Sequence, residues 1–415
     1  MNPDRLARRY AVGGLPVILV LGLAAACSSE TATNPSRHFI IDSVGVAIIT
    51  SNAPELADSL AYRVDSVPFL NLDGKEGGRQ GFAGALLATR SQIGWIVAAD
   101  LSSRQIYFYG GEGRLIRVVG GEGTGPGEFR AINFVGTLPG DSIIVSDPAL
   151  HRLTVLDAGG TVRRTALLPE AGPGAPFAVN GTFRDGVLLA TTFFPAGWQP
   201  RPGPHRDTMP MVTLRADGTL RSTVGAFPGP DGVVFVDPGE VVRTARTPYG
   251  RVTRQSIWDT LLAVGVGDRY EISFYARDGR VVRQLRWKHQ PVPVSGDDYR
   301  TYVRERDEAF PLEPAGRTEF YRELREMRFP KVQPPYDLIL TRGNGELWVR
   351  AYVGPYLRKK PSLWSVFDRN GVWRCDLTIP VGVEPKYISD DAVLGTWQDE
   401  DESYHLGLYR LRTGQ

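Results

Sequence analysis

Five histidines are the side chains in this sequence best suited to binding a metal ion or moving a proton, and their spacing predicts no such site. No two of them stand three or four residues apart, the spacing that places a pair on one helix face. They are His38, His151, His205, His289 and His405. Asp147 stands four residues before His151, but Asp100 ends a similar apolar stretch without a histidine after it. Both aspartates are therefore predicted to cap turns.

Two glycine-containing segments can be compared with phosphate-binding loops, and neither fits. The run 120–127 has no G-x-G-x-x-G register, no Lys-Ser/Thr pair follows it, and it leads into a strand instead of a helix. Gly74-Lys75 lacks the upstream glycine and the downstream hydroxyl. No G-x-S-x-G, S-x-x-K or H-E-x-x-H motif supports a serine hydrolase or a metalloprotease. The sequence therefore predicts a tight loop for the glycine run and identifies no catalytic residues.

Composition excludes several classes of protein. The chain has 415 residues, of which 42% are hydrophobic and 23% charged, as in ordinary globular proteins. Its formal charge of +2 is too small for an electrostatic surface that binds nucleic acid. Two cysteines, Cys27 and Cys375, are too few for a disulfide scaffold or a cysteine-rich zinc module. Cys375 lies in an alternating apolar stretch and is predicted to be a buried structural thiol.

The first 26 residues form a targeting segment. Arg5, Arg8 and Arg9 precede an uncharged stretch, 11–26, which is too short and too interrupted by glycine and proline to span a bilayer. The small residues before Cys27 resemble a bacterial lipoprotein signal, which implies that Cys27 is acylated and becomes the mature N-terminus. Ser28 then favours the outer membrane. The alternative is a conventional secretory signal cleaved near Ala26. Residues 27–37 read as a flexible tether.

Short strands separated by glycine turns fill the remainder of the chain. Apolar strands at 96–100 and 143–147 are each followed by a second strand, at 105–109 and 152–156, and then by a tight turn and a third strand. The turn glycines are Gly113, Gly160, Gly218, Gly279 and Gly371. They recur at intervals of about 50 to 60 residues, which is typical of propeller blades. The last interval is longer by roughly 35 residues.

The long interval predicts a two-helix insertion at about 296–330. Ser295 to Asp298 has the form of a capping box, and 317–329 carries apolar residues at helical spacing. Five glycine turns are present, and the segment 45–49 matches the strand that follows each of them. We therefore expect this segment to complete the last blade, because propellers commonly close with strands from both termini.

A family resemblance rests on these segments. VVGGEGTGPGEFR at 118–130, GDSIIVSDPALHRLTVLDAGG at 140–160 and GELWVRAY at 345–352 resemble the NHL-type repeat and the six-bladed propeller lipoproteins of bacterial envelopes, a TolB-like group. The resemblance implies an all-β, six-bladed propeller over 38–415, closed by N- and C-terminal strands. It implies little about function.

Propeller architecture directs the search for a ligand site to the innermost strands and to the loops at one end of the channel. The innermost strands are predicted near 129–136, 176–182, 254–258, 336–341 and 386–389. The candidate ligand-binding residues on or near them, and on the loop 198–205, are Arg130, Asn133, Arg254, Tyr336, Tyr387, Trp198 and His205.

Two hypotheses about function follow. The first is a monomeric, non-enzymatic binding or scaffold module, anchored in the cell envelope through lipid at Cys27, without a cofactor and with a protein, peptide or carbohydrate partner. The second is a calcium-dependent lactonase or hydrolase of the six-bladed kind. The second needs carboxylate and amide oxygens that converge on one point, for which Asn133, Asn180 and Asn344 are candidates.

Overall fold

Short strands form almost all of the regular structure, as the period-2 alternation predicts. The computed structural model describes residues 37–56, 62–72, 81–192, 197–237, 241–309, 313–355 and 360–414. Cys27, Gly74-Lys75, the predicted signal and most of the tether lie outside these residues. The first sixteen strands are β1 His38–Ser43, β2 Val46–Ser51, β3 Tyr62–Val64, β4 Leu70–Asn71, β5 Leu86–Arg90, β6 Ile96–Asp100, β7 Gln105–Tyr109, β8 Leu115–Gly120, β9 Phe134–Thr137, β10 Ile143–Asp147, β11 Arg152–Leu156, β12 Val162–Leu167, β13 Glu170–Gly172, β14 Ala175–Pro176, β15 Ala178–Thr182 and β16 Leu188–Thr191.

The second part of the chain adds sixteen strands and two α-helices among the described residues. The strands are β17 Gly203–His205, β18 Thr208–Leu214, β19 Leu220–Pro228, β20 Gly232–Asp237, β21 Val241–Arg246, β22 Arg254–Trp258, β23 Leu261–Gly265, β24 Glu271–Tyr275, β25 Val281–Trp287, β26 Tyr336–Thr341, β27 Leu347–Ala351, β28 Ser362–Phe367, β29 Trp373–Ile379, β30 Glu384–Ile388, β31 Ala392–Gln398 and β32 Tyr404–Thr413. The helices are α1 Gly296–Ala309 and α2 Pro314–Glu326. Neither helix is long and apolar enough to cross a membrane.

Antiparallel sheets of four strands are the repeated unit of the fold. Four sheets consist of this unit alone: β5 to β8, β9 to β12, β15-β16-β18-β19 and β26 to β29. The same unit, β22 to β25, lies inside a six-stranded sheet, and β30 to β32 belong to a five-stranded one. The strands predicted at 96–100, 105–109, 143–147 and 152–156 are confirmed as β6, β7, β10 and β11. The first strand β5 had not been predicted.

The five predicted turn glycines connect the third and fourth strands of their sheets. All five have a positive φ, from 80° to 88°, which only glycine adopts without strain. At Gly218 a Cβ atom would also lie 2.0 Å from the carbonyl oxygen of Leu167, on the preceding sheet. Glycine therefore shapes the turn and lets neighbouring sheets approach each other.

The prediction that 45–49 completes the last sheet is wrong. β2 instead extends the outer edge of the β22 to β25 unit and pairs in parallel with β25. Ile49 is 1% exposed there and lies near Leu285 and Gly371. Two other N-terminal strands join the C-terminal β32: β3 pairs antiparallel with it, with Val64 opposite Leu411, and the short β4 also pairs antiparallel with it. Both segments have strand character, so the local sequence does not decide which sheet edge each of them joins.

A separate three-stranded sheet and the two helices form an insertion. The sheet has the order β17-β20-β21, and its Phe235 packs with Tyr302 of α1 and Phe320 of α2 in one apolar cluster. The predicted capping box is confirmed: the backbone N–H of Asp298 donates to Ser295 Oγ at 3.2 Å, and the Ser295 N–H donates to Asp298 Oδ2 at 2.7 Å. α2 ends at Glu326, three residues before the predicted end.

All parts of the insertion leave the repeated units at the same end. The inserted segments follow β16, which is the second strand of its unit, and β19 and β25, which are the fourth strands of theirs. In an antiparallel unit of four strands these connections share one end, whereas the first-to-second and third-to-fourth turns share the other. We call these ends the insertion end and the turn end.

Four charged side chains fasten the insertion to the β22 to β25 unit. Arg251 donates from Nε and Nη2 to the two carboxylate oxygens of Asp231, at 2.8 and 2.9 Å, and from Nη1 to Asp268 at 2.8 Å. Arg206 Nη1 donates to Asp268 Oδ1, the oxygen that also accepts from Arg251, at 3.0 Å. Burial alone would raise the pKa of Asp231, but the hydrogen bonds and charge of Arg251 hold this pKa below its usual value of 3.8.

Replacing Asp231 by asparagine should lower the free energy of unfolding by about 2 kcal/mol at neutral pH, since a charge-assisted bidentate contact is lost. Because the pKa is lowered in the folded state, this stabilisation is complete above pH 3.8 and is lost as the pH falls through the lowered pKa. Urea unfolding of the wild type and Asp231→Asn should therefore differ at pH 7 and converge in strong acid. The exposed control Asp401→Asn should change little at either pH. A difference that persists unchanged in acid would contradict the assignment.

Candidate functional site

A cavity of about 310 Å³ opens where the inserted sheet meets strand β18, at the insertion end. Its wall includes His205 of β17, Asp207, Met209 of β18, and Thr244 and Arg246 of β21. Its volume falls in the lower range of small-molecule sites. Two of the predicted ligand-binding residues lie at this place: His205 in the wall, and Trp198 beside it.

Strand pairing fixes the position of His205. β17 pairs antiparallel with β20, so that His205 lies opposite Gly232. A Cβ atom on Gly232 would come within 2.9 Å of the imidazole Cε1 and 3.0 Å of the Ala245 carbonyl oxygen, so glycine is required for the ring to lie there. His205 Nδ1 is buried and has no hydrogen-bond partner among the described residues.

Asp207 joins the other two polar groups of this wall. Its Oδ2 accepts a hydrogen bond from Trp198 Nε1 at 2.8 Å and lies 3.6 Å from His205 Nε2. The indole therefore orients the carboxylate, and the carboxylate lies within ion-pair distance of the imidazole. Buried Met209 supplies apolar surface, while Arg246 and Thr244 are exposed at the opening. Such a cavity suits a small ligand with an apolar body and one anionic or hydrogen-bonding end.

A second cluster of charged side chains is buried near the starts of β26 and β30, the first strands of two neighbouring sheets. Arg350 of β27 is 2% exposed; its Nε donates to Asp337 Oδ1 of β26, and its Nη1 donates to Glu384 Oε2 of β30, both at 2.6 Å. The Asp337 carboxylate also accepts from the Val353 N–H at 3.3 Å. Arg350 thus links two neighbouring sheets through charge-assisted hydrogen bonds.

Local bulges interrupt the strand register in three of the first strands. The register shifts fall at Asn180 in β15, Asp337 in β26 and Lys386 in β30. Bulges redirect a side chain at a sheet edge and are frequent next to functional sites. Tyr352, which follows β27, lies near this cluster, and burial, followed by the charges of Tyr249 and Asp337, raises the pKa of its hydroxyl.

The other predicted site residues lie on several sheets. Arg130 is exposed in the loop before β9, and Asn133 Nδ2 donates to the Val179 carbonyl oxygen of the next sheet at 2.9 Å. Arg254 begins β22. Tyr336 is 2% exposed, and its hydroxyl donates to the Glu271 carbonyl oxygen at 2.8 Å. Tyr387 is half-buried against an apolar cluster. Tyr336 therefore has an evident packing role, and a ligand role for these five residues stays a prediction.

The predicted capping role of the strand-end aspartates is confirmed. Asp100 accepts from the backbone N–H groups of Ala83 and Ser102, both at 2.9 Å. Asp147 accepts from the Arg130 N–H at 2.7 Å and the Leu150 N–H at 3.1 Å. Each carboxylate thereby ties the loop before its own first strand to the end of the second strand. Cys375 is buried, as expected.

The candidate metal ligands do not meet in the described part of the chain. No three side chains of His, Cys, Asp or Glu are arranged there to hold an ion. Asn133 and Asn180 donate to carbonyl oxygens of Val179 and Ala178, and Asn344 accepts from the N–H of Glu346 at a turn. A calcium site that joins these three amides with nearby carboxylates is therefore not found among the described residues.

Sequence reasoning missed Asp207, Arg246, Arg350 and Glu384. Asp207 had a signal, since it stands two residues after a histidine that had been singled out. The other three carried none, because a charged residue in a strand looks the same whether it faces solvent or a buried partner.

The chain resembles solved β-propeller-like structures. No protein-family model matches it, and no curated protein does. A member of the DUF4221 family from Bacteroides vulgatus is 8% identical and has a TM-score of 0.51, over 86% of this chain and all of the other. A protein of Bacteroides fragilis assigned as exported is 13% identical, with a TM-score of 0.48 over 89% of this chain and all of the other. A gluconolactonase from Xanthomonas campestris is 14% identical, with a TM-score of 0.41 over 84% and 97% of the two chains. The likeness to the DUF4221 structure, which has a TM-score above 0.5, concerns the fold alone, and with the repeated four-stranded sheets it supports a β-propeller-like fold.

Proposed function

We propose that the chain is a ligand-binding module of the bacterial cell envelope, built as a six-bladed propeller and anchored by lipid at Cys27. The observation that carries the binding proposal is the cavity beside His205, because it combines a cavity volume, a buried imidazole nitrogen with no hydrogen-bond partner among the described residues, and an arginine at its opening. The anchor rests on the basic, apolar and small-residue pattern that precedes Cys27.

Six blades and ring closure are supported by the neighbours of the first strands. β5 lies beside β9, β9 beside β15, β15 beside β22, β22 beside β26, β26 beside β30, and β30 beside β5. This cyclic order is what a closed ring of six sheets requires. The pairing of β3 with β32 would then complete the last blade with a strand from the other end of the chain.

The ligand is a small organic acid with an apolar body. The cavity volume corresponds to about ten non-hydrogen atoms at the density of liquid water. Met209 and Pro230 would contact the apolar part, and Arg246 would bind a carboxylate at the opening. Arg246 makes no ion pair with the described residues, so its guanidinium is available.

Calorimetric titration with phenylacetate tests this site, and the neutral phenylacetamide, of equal size, isolates the effect of charge. The wild type should bind phenylacetate about tenfold more tightly than the amide, and Arg246→Gln should abolish that preference. Thr244→Tyr, which adds a ring at an exposed position of the opening, should weaken both ligands. The exposed Arg280→Gln, on a distant turn, is the matched control. Failure of both probes to bind, or equal binding by Thr244→Tyr, would overturn the site.

The anchor is tested separately with Cys27→Ser. The wild type expressed in a Gram-negative host should partition into detergent and incorporate radioactive palmitate, since covalent lipid adds apolar surface. The serine variant should do neither. Palmitate incorporation by the variant, or its absence from the wild type, would contradict lipidation at this residue and would leave the cavity proposal untouched.

A further inference from the structure

An arginine-lined cleft lies at the turn end, opposite the insertion. It has a volume of about 520 Å³ and separates the β9 to β12 sheet from the β15-β16-β18-β19 sheet. Its walls come from the loops at 138–142 and 185–187 and from the turn at 215–221. These are first-to-second and third-to-fourth connections, which place the cleft at the other end of the units from the His205 cavity.

Three guanidinium groups line the cleft, with one carboxylate in its wall and a second, Asp217, in the adjoining turn. They belong to Arg164, Arg215 and Arg221, and Asp185 is the acidic residue in the wall. Asp185 Oδ2 accepts from Arg277 Nη1 at 2.6 Å and lies 3.7 Å from Arg221 Nη1. The hydrogen bond from Arg277 holds the pKa of Asp185 below its usual value, so this carboxylate is ionised and already bound. The side chains of Arg164 and Arg215 make no hydrogen bond or ion pair with the described residues. Hydrogen bonds from Thr219, together with the charges of Arg215 and Arg164, hold the pKa of Asp217 below its usual value, so Asp217 offsets part of their charge.

Arginines that correspond to Arg164 in two other sheets show which contacts this position of the repeat makes there. Arg117, Arg164 and Arg283 each stand four residues after a turn glycine, and each lies opposite the residue that precedes a bulge. Arg117 Nη1 donates to the Gly159 carbonyl oxygen and Thr161 Oγ1 of the next turn, both at 3.2 Å. Arg283 Nη1 donates to the Arg369 carbonyl oxygen of the turn it faces, at 3.0 Å. Arg164 makes no equivalent bond to the described residues and borders the cleft instead.

A change in the residue opposite the arginine accounts for the open space. The partners of Arg117 and Arg283 are Phe108 and Phe274, which are 0% and 1% exposed. The Phe108 ring lies under the next turn, within 3 Å of where a Cβ of Gly160 would be. The partner of Arg164 is Val155, which also lines the cleft. A valine leaves unfilled the volume that a phenylalanine ring occupies in the neighbouring sheet.

We propose that this cleft binds the phosphoryl group of a phosphate monoester. A phosphoryl dianion presents three oxygens, and arginine is the side chain whose planar donors match such oxygens best. Leu138, Val155 and Val187 form an apolar floor that would contact the organic part of the ester. The cleft is much larger than inorganic phosphate needs, so the organic group contributes to binding. The ester is either a free metabolite or a lipid headgroup, since both carry the same chemistry.

Calorimetric titration of the purified full chain with phenyl phosphate tests the proposal, with inorganic phosphate as the smaller probe. Arg164→Gln and Arg215→Gln should each weaken phenyl phosphate binding about tenfold. Both positions are exposed, so these variants should fold. Arg117→Gln is the matched control, because it occupies the same position of the repeat but is bonded to a turn, and it should bind like the wild type. No binding of phenyl phosphate, or equal loss in the Arg117 variant, would overturn the proposal.

Val155→Phe supplies a second test that does not remove a charge. The ring should fill the cleft as Phe108 does in the preceding sheet, abolish phenyl phosphate binding and leave the fold intact. Unchanged binding by this variant would overturn the location. Vesicles of phosphatidic acid in phosphatidylcholine then distinguish the source: binding that requires phosphatidic acid and Arg164 supports a headgroup, and binding of phenyl phosphate alone supports a free ester.

Discussion

Replacing Arg350 by methionine should lower the free energy of unfolding by about 3 to 5 kcal/mol, more than the loss of an exposed ion pair costs. The guanidinium is almost fully buried between Asp337 and Glu384, on the first strands of two neighbouring sheets. Methionine has a similar length but no charge, so two carboxylates would share a desolvated space without their cation. Like charges in such a place repel each other and lose hydration at the same time.

The measurement is urea unfolding at neutral pH, with Arg163→Met as the matched control. Arg163 is paired with Asp157 at 2.7 Å, but its side chain is 65% exposed, so its loss should cost less than about 1 kcal/mol. Adding Asp337→Asn to Arg350→Met should restore part of the stability, because one of the two uncompensated charges is removed. An Arg350 variant that unfolds like the control would show that the buried arginine contributes nothing to the contact between these sheets.

Replacing Arg342 by methionine should release the N-terminal strand β3 from β32. Arg342 has a 6% exposed side chain, pairs with Glu346 at 2.9 Å, and donates to the Tyr62 hydroxyl at 3.2 Å. It also donates to the carbonyl oxygens of Ser389 and Asp390. One guanidinium therefore connects the β26 to β29 sheet, β3 and the turn before β31. Its removal leaves Glu346 buried without a cation, and we expect a loss of about 3 kcal/mol.

Hydrogen exchange distinguishes release of β3 from general unfolding. In the Arg342 variant, the amides of β3 should exchange faster by a larger factor than those of β10, which lies in a distant sheet. Tyr62→Phe is the milder control: it removes the hydrogen bond from the Tyr62 hydroxyl to Glu346 and should cost about 1 kcal/mol. Burial and the nearby Glu346 raise the pKa of that hydroxyl to about 12, so it remains a donor over the whole neutral range. Equal acceleration in β3 and β10 would contradict a local role for Arg342.

The repeated strands could be predicted because their signals are local. β6 and β7 are short, mostly apolar runs, and Gly113 marks the turn that follows, so each of these elements is signalled by a few adjacent residues. The partner of β2 could not be predicted in this way. β2 and β3 both carry strand character, and the choice between the edges of β25 and β32 depends on surfaces that the chain assembles from distant segments.

The candidate site was predictable only in part for the same reason. His205 and Trp198 stood out as polar or aromatic residues in an unusual loop, and the structure places them at one cavity wall. Asp337 could not be anticipated as a partner of Arg350, because a bulge in β26 falls at this residue and a bulge changes which way a side chain faces. In the sequence, Val155 looks like any core residue. It is distinguished only by its position opposite Arg164, because the corresponding residue of the preceding sheet is Phe108.

The pairing of β3 with β32 also sets the order in which the molecule can be completed. Asp65 and Arg412, which pair at this junction, are separated by 347 residues, so almost the whole chain must be made before they meet. Contacts between such distant residues form late, because closing a long loop costs entropy before the new contacts stabilise the chain. During synthesis the edge of β3 therefore has no partner until β32 has been made. The sheet that contains β30 to β32 is completed only when the C-terminal strand pairs with β3, so among the described sheets it is the last that the chain can complete.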